Sequence, residues 1–195
     1  AGTGTGTVTS APAGVSCGED CGETYTIGTS VTLTAVAAND STFTGWSGAC
    51  TGTGTCTVAM SEARNVTAMF VLKSFDLTVT KAGTGTGTVT SAPAGIDCGA
   101  DCTETYTIGT SVTLTATAAN DSTFTGWSGA CKGTAACTVE MSEARSVTAT
   151  FALKNFSLTV TKAGTGTGTV TSAPAGIDCG ADCTETYTIG TSVTL

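Results

Sequence analysis

Apolar and polar residues alternate with a period of two along most of the chain, the pattern of half-buried β-strands. The clearest case is SVTLTATA, which sets Val112, Leu114 and Ala116 on one face and Thr113, Thr115 and Thr117 on the other. FDLTVT opposes Leu77 and Val79 to Thr78 and Thr80, and ETYTI points Tyr106 and Ile108 one way. CTVEM and SVTATF supply Val139 and Met141, then Val147, Ala149 and Phe151, to the predicted core. The glycines of AGTGTG predict a hairpin turn between FDLTVT and TVTS. A second turn, Ala119 to Asp121, leads into STFTGW, where Phe124 and Trp127 fall on opposite faces unless a bulge at Gly126 re-aims one of them. SEAR, between the last two strands, is expected to form one helical turn with Ser142 as its cap.

This pattern repeats. AGTGTGTVTSAPAG begins at Ala1, Ala82 and Ala163, a spacing of 81 residues. Residues 1–74 and 82–155 differ at 13 of 74 positions, and 75–114 differ from 156–195 only at Asp76 against Ser157. Internal repeats of this kind mean tandem supersecondary units. Starting the unit at the strand FDLTVT gives three copies: 1–74 without its first strand, 75–155 complete, and 156–195 truncated within SVTL. A half-built sheet leaves apolar faces and strand edges uncovered. The chain is therefore expected to be a window on a longer array, or a protomer whose missing strands come from a neighbour. The predicted fold class is all-β, a tandem of small modules.

Composition narrows the function. The chain has 26 glycines, 3 prolines and 11% charged residues, too apolar for disorder. A net charge of -8 repels phosphate backbones and anionic headgroups, so neither nucleic acid nor a membrane is an expected partner. No run of 18 apolar residues predicts a membrane span, and any export signal is expected to be removed or to lie outside this segment.

Ten cysteines occur in C-x3-C and C-x5-C spacings: Cys17 and Cys21, Cys50 and Cys56, Cys98 and Cys102, Cys131 and Cys137, and Cys179 and Cys183. Histidine is absent and zinc knuckles use C-x2-C, so structural disulfides formed in an oxidising compartment are expected. Local pairing is one of three connectivities for four cysteines. The truncated copy holds Cys179 and Cys183 alone, which must pair with each other or stay free. A small core buries only ~60% of its unfolded surface, and each short loop adds about 2 kcal/mol.

The run GTVTSAPAGIDCGADC, then SVTLTATA, FTGWSGAC and CTVEMSEARSVTATFAL, resembles the divergent internalin-type B-repeat family of bacterial surface and secreted proteins. The resemblance extends over every copy, and its GWSGAC and VTATF elements are the most specific. It implies a small β-rich fold of the β-grasp or sandwich-like kind, tandem arrangement in long exported proteins and no enzymatic activity, with no catalytic or cofactor residues to carry over. The cysteine pairs resemble those of a Gram-negative-looking subset.

Without histidine, no Ser/His/Asp or Cys/His centre has its base. Paired carboxylates, Asp101 with Glu104 or Glu140 with Glu143, are better read as solvated charges. Asp97, Asp101 and Glu104 around the first disulfide loop are weak calcium candidates, because calcium takes six to eight oxygens and Ser16 replaces Asp97 in the first copy. Trp46 and Trp127 are read as core residues rather than a sugar-stacking platform, and the triplets headed by Asn39, Asn65, Asn120 and Asn155 as chance matches in a Thr-rich chain. No cofactor is expected. The expected function is structural and non-enzymatic: an extracellular or cell-surface filament, fibre or adhesin stalk, exported through an oxidising periplasm, whose partners are further copies of itself. The alternative is an adhesion module that presents loop and Trp surfaces to a cell-surface glycan or protein.

Overall fold

The computed structural model describes residues 2–18, 20–99, 101–180 and 182–195. No helix occurs among them. By its contacts the chain divides into two compact units, Ala1–Phe75 with Tyr106–Thr110 and Met141–Glu143, and Asp76–Thr105 with Ser111–Glu140 and Ala144–Leu195.

The first repeat contributes β1 (Gly6–Ala11), β2 (Ser16–Cys17), β3 (Ser30–Ala37), β4 (Ser41–Gly48), β5 (Cys56–Ala59) and β6 (Val66–Leu72). They form a sheet of order β2-β1-β3-β5 and an antiparallel pair β4-β6. Val8, Trp46, Cys56, Val58 and Phe70, drawn from both sheets, make one buried cluster. That is a sandwich, two inner faces interdigitating.

The second repeat contributes β7 (Ser74–Gly83), β8 (Gly87–Ala92), β9 (Thr103–Thr107), β10 (Ser111–Ala118), β11 (Ser122–Gly129), β12 (Cys137–Glu140) and β13 (Arg145–Leu153). One sheet has the order β12-β10-β8, the other β11-β13-β7-β9. Inward positions follow the alternation: Val112 and Leu114 of β10, Leu77 and Val79 of β7, and Val147, Ala149 and Phe151 of β13 are all buried. The outward threonines pair across strands, with Thr113 and Thr138 hydroxyls 3.4 Å apart and Thr103 and Thr78 3.3 Å apart. Among its described residues the third repeat provides β14 (Asn155–Thr159) and β15 (Thr184–Thr188), joined antiparallel.

Among the described strands one pairing is parallel. The first strand of the repeat, β7, lies beside the last, β13, in the register Arg145↔Leu77 through Phe151↔Gly83. A parallel pair needs a crossover between its members, and here the rest of the repeat supplies it.

Two sequence expectations are corrected. FDLTVT and TVTS do not form a hairpin, because β7 and β8 belong to different sheets. The glycines of AGTGTG instead let the chain cross tightly over Phe151: a Cβ at Gly83, whose φ is +98°, would overlap the Phe151 carbonyl oxygen, and one at Gly87 would strike its ring. Gly85 N then donates to Phe151 O at 3.0 Å. SEAR forms no helical turn either. Met141 N donates to Thr110 O at 3.0 Å and β13 begins at Arg145, so too few residues lie between for a helical hydrogen bond to close.

Candidate functional site

Each complete GW element is built around a caged tryptophan. The register of β11 against β13 shifts between Phe124 and Gly126, so Phe124 and Trp127 share the inner face, their rings edge to face with centroids 4.9 Å apart. Gly126 takes φ +146°, which favours glycine. The loop closed by Cys131–Cys137 lends two carbonyls to the indole residue, Gly133 O to Trp127 N at 2.6 Å and Ala135 O to Trp127 Nε1 at 3.0 Å. In the first repeat Cys50–Cys56 does the same, with Trp46 Nε1 donating to Gly54 O at 2.8 Å. Both tryptophans are only 6% exposed, so neither offers a stacking platform. A buried indole N–H demands an acceptor, and the loop partner was the part hidden from the sequence.

The other disulfides join Cys17 to Cys21, Cys98 to Cys102 and Cys179 to Cys183. Asp97 and Asp101 exchange backbone hydrogen bonds at 3.1 and 2.8 Å across the second of these loops, and Val79 N donates to Cys102 O at 2.8 Å, fastening the loop to β7. Two of the acidic candidates are engaged locally. Asp101 Oδ1 accepts from Thr103 N at 3.1 Å and Glu104 Oε1 from Thr105 N at 3.0 Å. Among the described residues no three metal-ligating side chains converge.

Lysines mark the ends of repeats. Between β13 and β14 stands one residue, Lys154, whose N donates to Asp121 O at 2.9 Å and whose Nζ donates to Asn120 O at 2.8 Å. Its own carbonyl accepts from Ile189 N of the third repeat at 2.9 Å. Lys73 repeats the arrangement with Asp40 O, Asn39 O and Ile108 N. Asn120 and Asp121 thus belong to a turn that holds the outgoing chain, and Ser122, 3% exposed, ties that turn to Thr86 N through Oγ at 2.9 Å.

A cavity of about 610 Å³ lies in the first repeat between its two sheets. Tyr25, Leu33, Trp46, Val66, Ala68 and Phe70 line it. Tyr25 Oη is 2.7 Å from Ser10 Oγ, which holds the 23–25 segment near β1 although that segment forms no strand. In the second repeat the same inner wall is closed. Val147, Ala149 and Leu114 are 1%, 0% and 1% exposed, whereas their counterparts Val66, Ala68 and Leu33 are half-buried. The difference is β7, whose Leu77 and Val79 are 0% and 2% exposed beside β13. The cavity of the first repeat thus occupies the position that β7 fills in the second.

A family model described as the divergent InlB B-repeat domain matches residues 2–74 and 77–155. Among the curated proteins none matches the chain significantly. Of solved structures, the major pilin protein (T-13) from Streptococcus pyogenes serotype GAS131465 is similar over 64% of this chain and 66% of that one, at 13% identity and a TM-score of 0.30. That likeness is too slight to bear on function. No helix among the described residues is long and apolar enough to cross a membrane.

Proposed function

The chain belongs to the divergent InlB B-repeat family, and from that premise we propose that it is a structural, non-enzymatic segment of an extracellular filament or stalk, with repeats strung end to end. The observation that carries this reading is the parallel pairing of β7 with β13. Parallel first and last strands bring the chain in at one end of a sheet and release it at the other, so the next copy follows on instead of folding back. Lys154 then passes the chain onward with backbone hydrogen bonds to both neighbouring repeats. In such an array stability grows through nearest-neighbour contacts. Tension along the chain loads the β7–β13 ladder in shear, all bonds together, and the disulfides staple the loops outside that ladder. Five disulfides favour an oxidising compartment and hence export. The adhesion-module alternative loses its obvious platform with both tryptophans buried. Electron microscopy of native material tests the reading: thin filaments or stalks with an axial period of one or a few repeats are expected, and dispersed globular particles would refute it.

A further inference from the structure

We propose that the glycine-rich segment 83–87 is a latch that tightens when the repeat is pulled, with the Phe151 ring as the part it catches. The proposal rests on the array reading above, since only a chain under tension uses such a latch, and it names the feature by which one repeat resists that tension.

The segment joins β7 to β8, and so crosses from one sheet to the other, over the end of β13. Its glycines fall at every second position, and each faces β13. A Cβ at Gly83 would overlap the Phe151 carbonyl oxygen, one at Gly85 would stand 2.6 Å from the carbonyl carbon of Ala152, and one at Gly87 would stand 2.6 Å from Cζ of Phe151. Side chains are thus missing where strap meets strand, and the backbone itself bears on the ring. The threonines between the glycines tie the strap down. Leu153 N donates to Thr84 Oγ1 at 3.4 Å, Gly85 N to Phe151 O at 3.0 Å, Thr86 N to Ser122 Oγ at 2.9 Å, and Ala119 N to Thr86 O at 3.0 Å. Residues 84 and 85 therefore lie level with 152 and 153, on the exit side of Phe151, before Gly87 returns to the ring. The ring, 1% exposed, sits beneath an arc of backbone. The first repeat builds the same arc, with Leu72 N donating to Thr3 Oγ1 at 3.4 Å, Gly4 N to Phe70 O at 3.0 Å and Thr5 N to Ser41 Oγ at 2.9 Å.

Direction makes this arc a latch. β7 and β13 are parallel neighbours, in register from Arg145↔Leu77 to Phe151↔Gly83, so a pull enters at the start of β7 and leaves at the end of β13. It draws β7 and the strap toward the entry end and Phe151 toward the exit end. The far end of the strap is anchored, because β8 pairs with β10 in the other sheet. With the strap on the exit side of the ring, the two motions press backbone and ring together. The ladder then cannot slide until the ring has passed the strap. Unfolding in urea imposes no such direction, and the strap can lift away before β13 moves.

The test applies constant force to the full chain through handles at Ser74 and Asn155, both exposed, and compares the lifetime of the second repeat under load with its unfolding rate in urea extrapolated to water. A pair of glycines inserted between Thr84 and Gly85 slackens the strap at little cost in loop entropy. Phe151→Leu keeps an apolar side chain and removes the ring. Each change is expected to shorten the loaded lifetime by about 10-fold or more beyond its effect on the unloaded rate. Val112→Ala, in the opposite sheet, serves as the control and is expected to change both by the same factor. A slackened strap that leaves the loaded lifetime unchanged, a variant of the strap or ring that alters the two rates equally, or a control that is as sensitive to load would each overturn the latch. Filaments in micrographs from a chain whose loaded lifetime ignores the strap would sink the latch and leave the array intact. A strap-dependent lifetime where native material shows only dispersed particles would uphold the latch while removing the array.

Discussion

Gly126 sits where a side chain is unwelcome for two reasons. Its φ of +146° is rarely adopted by L residues, and a Cβ there would come within 3.0 Å of Gly133 O. Gly126→Ala is expected to destabilise the second repeat by about 1–3 kcal/mol, read as a lower calorimetric transition for that repeat with the first unchanged. The same bulge is what turns Trp127 inward. Trp127→Phe keeps most of the apolar area but leaves Ala135 O without its indole donor, an expected loss of about 1–3 kcal/mol by urea denaturation. A loss no greater than that of a surface substitution would show that the indole hydrogen bond is not what the disulfide loop provides. At this scale the sequence was partly legible. The pairing of Phe124 and Trp127 on one face follows from alternation once a bulge at Gly126 is granted. The loop carbonyls that receive the indole, and the lysines at the repeat ends, were not legible, because they join side chains to backbone groups that no residue type announces.

Strands were the best-marked elements, since each carries its own two-residue period and its own threonine face. Their partners were less so. AGTGTG reads as a turn whether the next strand pairs with the last one or crosses to the other sheet, and what decides is Phe151, far along the chain, against which the glycines pack. SEAR read as helix because local capping chemistry was considered without the strand pairing that hems it in. The parallel match of β7 to β13 was equally hidden: alternation specifies which face is buried but not which strand lies alongside. Two predictions belong to this scale. Replacing Cys131 and Cys137 together by alanine removes a staple of about 2 kcal/mol and loosens the loop over Trp127, so denaturation should begin earlier and tryptophan emission should shift to the red. Val79→Asp puts an unpaired carboxylate at a site 2% exposed. Its expected cost is more than about 3 kcal/mol, and limited proteolysis should then cut within residues 75–81 in preference to other segments; an unchanged cleavage pattern would mean that β7 is not a core strand.

For the molecule as a whole, the 81-residue repetition was plain from the sequence, and it pointed to tandem units of one kind. What the structure adds is direction: the first and last strands of a repeat run the same way, side by side, with a single lysine between one repeat and the next. End-to-end growth is the central consequence, and solution X-ray scattering on chains carrying increasing numbers of identical repeats tests it most directly. The account predicts that the maximum dimension rises by a constant increment with every added copy while the cross-section stays fixed. A dimension that climbs only as the cube root of the number of copies would describe repeats folding back on themselves, and would contradict it.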